Sequence, residues 1–136
     1  MKNCIEIVVD DGCCSDEKFK YIESFNYVCY LNLFEFIDST EDDILLIEFP
    51  ECGIHPTHIR QKIIQIIENI NKIKTLNKKI IIETYSNVVI GTFGDAIIEE
   101  QISKDDVSIK IFTKGGINQV AKFDKDGDFC VNRYDC

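Results

Sequence analysis

Isoleucines at positions 59, 63, 66, 67, 70 and 73 recur at helical spacing through Pro56 to Lys74, while Arg60, Lys62, Gln65, Glu68, Asn69 and Lys72 fall mainly opposite them. That period predicts one amphipathic helix with a single apolar face. Pro56 suits its first position, where an N–H would be unpaired anyway. An apolar run, Ile44 to Ile47, precedes the helix, and a β-branched run, Lys79 to Thr84, follows it. Continuous runs of this kind are expected of strands covered on both faces. Strand, helix, strand is a βαβ crossover, almost always right-handed with parallel strands. The fold class expected is therefore α/β with a parallel core sheet. The crossover also places residues: Glu48 and Glu51 after one strand, and Glu83, Thr84, Tyr85 and Ser86 at the end of the next, should emerge at one edge. Open α/β sheets bind ligands beyond the carboxyl ends of their strands.

The rest of the chain reads around that unit. Residues 4 to 9, CIEIVV, form a short β-rich run that stops at Asp10-Asp11-Gly12, a turn signal, and read as a strand at the sheet edge. Residues 10 to 18, carrying Cys13-Cys14, read as a loop. From Asn26, a capping residue, Val28, Leu31, Leu33, Phe34 and Ile37 are spaced as a helix face. Asn87 to Gln101 reads as a helix weakened by Gly91 and Gly94. Ser103 to Asp106 is a loop, and Val107 to Lys114 and Ile117 to Phe123 flank Gly115-Gly116, the signal of an antiparallel hairpin. Asp124 to Asp128 reads as a solvated turn. Its alternating aspartates imitate a calcium loop, but Gly127 is misplaced and no glutamate closes it.

At 136 residues the chain makes one domain, large enough for a core without metal or disulfide staples. A net charge of −9 with scattered lysines argues against an exposed nucleic-acid footprint and against anionic membrane surfaces. Seven cysteines is an odd count, and no apolar leader follows Met1-Lys2-Asn3, so free thiols in a reducing cytoplasm are expected. The acidic surroundings would raise thiol pKa values, which disfavours a cysteine nucleophile. No apolar stretch approaches the roughly 20 residues of a membrane span.

The ordered stretches ILLIEFPECGIHP, KIIIETYS and DDVSIKIFTKGGINQVAKFDKDGDF resemble, over about residues 24 to 129, the C-terminal lobe of the ABC-like ATPases related to SMC, RecF and OLD proteins, closest to the predicted AAA-type ATPases of bacteria. The resemblance implies a P-loop NTPase-like half domain and a family role in ATP binding and hydrolysis. It places Glu48 at the Walker B acid that helps hold Mg²⁺, and Glu51 with His55-Pro56 in the region like the D-loop. Ser86 falls in the switch, ETYS here. Phe49 stands where the family carries the group that polarises the attacking water, and a phenyl ring cannot accept a proton. Tyr85 stands at the switch histidine; it can donate a hydrogen bond but is not a cation near neutral pH.

Other parts of the family pattern have no counterpart. Nothing matches GxxxxGK[ST], so no phosphate loop or phosphate lysine is evident, and Val28-Cys29 replace the expected Ser-Gln type pair. The family's N-terminal lobe is unmatched. Mg²⁺ on Glu48 alone would be weak, because the ion leans on phosphate oxygens. The expectation is no intact catalytic set and no cofactor for the chain alone, with ATP and Mg²⁺ only if a partner completes the site. Three classes stay open: a non-catalytic lobe acting through protein partners or as a homo-oligomer, one half of a split ATPase, or a small zinc module on Cys52, His55 and His58. Those three have ligand-like spacing but no compact fourth ligand. Taken alone, Glu48 is also what a solvated strand end looks like.

Overall fold

The computed structural model describes residues 4–10, 16–30, 32–49, 55–84, 87–112, 118–124 and 126–130. Its elements are β1 (Ile5–Asp10), α1 (Asp16–Glu23), α2 (Leu33–Asp38), β2 (Ile44–Phe49), α3 (Pro56–Glu68), α4 (Ile70–Thr75), β3 (Lys79–Thr84), α5 (Asn87–Ile98), β4 (Val107–Phe112), β5 (Asn118–Phe123) and β6 (Phe129–Cys130). The sheet order is β2-β3-β1-β4-β5-β6. The segment β2, β3, β1, β4 is parallel throughout, which makes the protein α/β. β5 runs antiparallel to β4, pairing Ile109 with Ala121 and Phe112 with Asn118, and β6 runs antiparallel to β5. The residues joining β4 to β5, Gly115-Gly116 among them, lie outside the described residues.

The isoleucine stripe does what its period predicts, but in two helices. Ile59, Ile63, Ile66 and Ile67 of α3 and Ile70 and Ile73 of α4 are all buried. Asn69 separates them at φ −106° and ψ 11°, and its side-chain amide donates to the Gln65 carbonyl at 2.8 Å. An amide side chain that competes for backbone partners favours a break, which periodicity does not register. Each buried isoleucine contributes about 1.5–3 kcal/mol.

The sheet has unequal faces. Leu45, Ile80, Ile82, Ile5, Ile7, Val107 and Ile109 meet side chains of α2, α3, α4 and α5 in the main core. The other face carries a smaller cluster of Val8, Leu46, Ile81 and Phe112, covered by Ile22 and Tyr21 of α1 with Phe25 and Tyr27 after it.

Several expectations need correction. β1 is not at the edge but central, between β3 and β4, with Ile5, Ile7 and Val8 wholly buried. Residues 16 to 18 begin α1 instead of ending a loop. No helix starts at Asn26; Val28 makes an isolated bridge to Leu45 along the outer side of β2, and α2 starts only at Leu33, where Asn32 accepts a bond from the Phe34 N–H. The Ser103 to Asp106 stretch is a short 3₁₀ turn closed by a capping box. α5 ends at Ile98 in a Schellman arrangement: the Gln101 N–H donates to the Ala96 carbonyl and the Glu100 N–H to that of Ile97.

Glu100 there has φ 59°, the left-handed region that glycine adopts freely and other residues at a cost. Glu100→Gly is expected to stabilise the protein by about 0.5–1 kcal/mol in urea denaturation. An unchanged or lowered midpoint would show that the turn is not strained.

Candidate functional site

Because β2, β3 and β1 are parallel, their carboxyl ends share one rim. Glu48 lies in register with Glu83, and Phe49 with Thr84. On the other side of β3, Glu83 is in register with Val8 and Thr84 with Val9. Alternation along the strands puts Leu46 and Ile81, two residues below the glutamates, in the cluster beneath α1, so Glu48 and Glu83 point toward that same face.

The two carboxylates differ in circumstance. Glu48 is exposed. Glu83 is mostly covered, and the ammonium of Lys18, itself only 1% exposed, sits 2.8 Å from its carboxylate. Lys18 comes from α1, whose inward positions Lys18, Tyr21 and Ile22 follow i, i+3, i+4 spacing. A buried charge is tolerated when paired, and here each partner supplies what the other needs.

A second polar group lies below the first. The carboxylate of Glu6, buried on β1, accepts a bond from the Tyr21 hydroxyl and, at 3.3 Å, one from the Lys79 ammonium. The Lys110 ammonium stands 4.1 Å from the centre of the Tyr21 ring, a cation–π contact. Burial first, then the bond to Glu6 and its charge, push the Tyr21 phenol well above its ordinary range. Burial and then the neighbouring acidic groups, Glu23, Cys29, Glu48 and Glu83, raise the Tyr27 phenol as well.

Outside β2 lies a cavity of about 500 Å³ bordered by Cys29, Asn32, Ile47, Glu48, Lys62 and Gln65. Glu48 thus lies on both the rim and this cavity. Of the other expected site residues, Glu51, Tyr85 and Ser86 lie outside the described residues, and Phe49 is placed by its backbone pairing alone. His55 is the N-cap of α3: its Nδ1 accepts the Thr57 N–H at 3.1 Å. His58 is exposed, its ring centre 6.4 Å from that of His55, and Cys52 lies outside the described residues. Among the described residues no group of three or more histidine, cysteine, aspartate or glutamate side chains is placed to hold a metal. Asp124 accepts the N–H groups of Asp126 and Asp128 with one carboxylate oxygen, which makes its segment an aspartate-closed turn.

Glu48 offers one open carboxylate, Glu83 is engaged by Lys18, and Mg²⁺ binds protein carboxylates mainly alongside phosphate oxygens. Thiol chemistry finds no support at Cys4, whose thiol burial and the Asp106 charge push up to about 11. Sequence reasoning missed Lys18, Tyr21 and Glu6. The spacing of Lys18, Tyr21 and Ile22 was the available signal, obscured because a lysine on the inward stripe reads as polar.

Among the described residues no helix is long and apolar enough to cross a membrane. Comparison of the chain with protein-family models, with curated proteins and with solved structures finds no match.

Proposed function

We propose that this chain is a non-catalytic module related to the C-terminal lobe of ABC-like ATPases, built as a P-loop NTPase-like half domain and acting through protein contacts. The observation that carries the reading is the Lys18–Glu83 pair. A rim built like a nucleotide edge has one of its two in-register carboxylates neutralised by a buried cation of the same chain, and that cation is thereby turned inward. Phe49 at the water-polarising position agrees with this. Among its described residues the rim retains one exposed carboxylate beside a cavity of mixed polarity, a surface suited to a partner chain.

Thermal denaturation with ATP and Mg²⁺ tests the proposal. A ligand at 100 times its Kd would add about 2.7 kcal/mol of stability, so millimolar ATP–Mg²⁺ is expected to leave the transition unmoved. A rise of several degrees for the chain alone would overturn it. Stabilisation only when a second chain bearing GxxxxGK[ST] is present would instead establish the partner-completed, split form of the site.

A further inference from the structure

We propose that α1 is a releasable strap, held over the sheet by charged and polar anchors, which opens locally while the rest of the fold stays intact. The two faces of the sheet are secured by different means. α3 buries Ile59, Ile63, Ile66 and Ile67, and α5 buries Val89, Phe93, Ala96 and Ile97. Among the described side chains of α1, Ile22 is the buried apolar one and Phe19 is half exposed; the Tyr21 ring packs against Phe112, and the inward polar contacts include the Lys18 ammonium on Glu83 and the Tyr21 hydroxyl on Glu6.

A buried ion pair fixes geometry while adding little net stability, because the desolvation of both ions offsets their attraction. Removing one member is a different matter, since it takes a charge partner from the other in a water-poor site. α1 is therefore attached with a smaller apolar contribution than α3 or α5 and through an ion pair that is weakened when either member is lost. Segments with few buried apolar contacts open at lower free energy than the global transition. Release of α1 uncovers the strip Val8, Leu46, Ile81 and Phe112 that it now shields. It also frees the Glu83 carboxylate beside Glu48, its register partner, so that these two carboxylates become available together. Closed, the strap keeps apolar surface and one carboxylate out of reach; open, it presents both.

Amide hydrogen exchange on the full chain, resolved by segment, decides the matter with Lys18→Met and Glu83→Gln as variants. In the wild type, amides of 16–23 are expected to exchange at least tenfold faster than the slowest amides of 56–68 and 87–98. In each variant, protection at 16–23 should fall a further tenfold or more while protection at 56–68 and 87–98 stays within twofold, which also reports that the variant is folded. The proposal is overturned if wild-type α1 exchanges together with α3 and α5. Loss of protection in all three segments at once, or outright unfolding of both variants, likewise overturns it, because α1 would then be integral to the global fold.

Discussion

Lys78→Met is expected to lower the stability of this protein by about 3 kcal/mol, among the largest losses available from a single side chain of unremarkable appearance. The Lys78 ammonium is buried and donates to the backbone carbonyls of Phe36 at 2.9 Å, Ser39 at 2.8 Å and Asp42 at 2.6 Å. It also stands 4.6 Å from the centre of the Phe36 ring. One cation thus gathers the end of α2, the turn that follows it and the approach to β2, and ties them to the start of β3. Methionine keeps most of the length and apolar volume, so the substitution isolates the donors. The carbonyls of Ser39 and Asp42 lose this donor, while that of Phe36 keeps the Ser39 N–H at 3.2 Å; each buried acceptor left unpaired costs about 1–3 kcal/mol unless water reaches it. For a chain of this size the loss corresponds to roughly 10 °C in the melting temperature. Urea denaturation showing a change below about 1 kcal/mol would mean that water replaces the ammonium without penalty.

Two glycines of α5 should respond to alanine with opposite signs. Replacing a helical glycine with alanine ordinarily stabilises by about 1 kcal/mol, because glycine loses the most backbone freedom on folding. Gly91 is exposed, and a Cβ there would meet nothing within 4 Å, so Gly91→Ala should gain up to about that amount. Gly94 is buried, and a Cβ there would collide with the backbone carbonyl of Gly127. Gly127 itself has φ 78° and could not accept a side chain either, since its own Cβ would lie 2.7 Å from Ile98. The helix and the aspartate-closed turn touch backbone to backbone. Gly94→Ala must push them apart, at a net loss of about 2 kcal/mol from overpacking. A pair of denaturation curves checks both signs, and stabilisation by both substitutions would contradict the close approach.

The Gly91 and Gly94 pair also shows where sequence reading stops. Both residues look like the same weakness in one helical pattern, and the difference between them is a turn some thirty residues away in the chain. β1 makes the same point. Its alternation IEIVVD, with two acids, resembles a half-solvated strand, yet Glu6 is 5% exposed and bonded to Tyr21 and Lys79, and the strand is central. A buried, satisfied carboxylate cannot be told from a solvated one by its letter. The helix read from Asn26 failed for a related reason: Val28 has the right spacing for a helix face but bridges to the outer side of β2.

What the sequence determined by itself was local or periodic: the apolar runs of β2 and β3, the isoleucine face between them, and from the handedness of such crossovers the delivery of Glu48 and Glu83 to one rim, as their register confirms. Only the tertiary structure decided which charges are buried and what neutralises them. It turned Lys18 inward onto Glu83 and Lys78 onto three carbonyls, set β1 at the centre, and brought Gly94 against Gly127. Periodicity records which face of an element avoids water. Partners for a buried charge, or for a glycine with no room for a Cβ, come from segments distant in the chain, and only the folded arrangement selects among them.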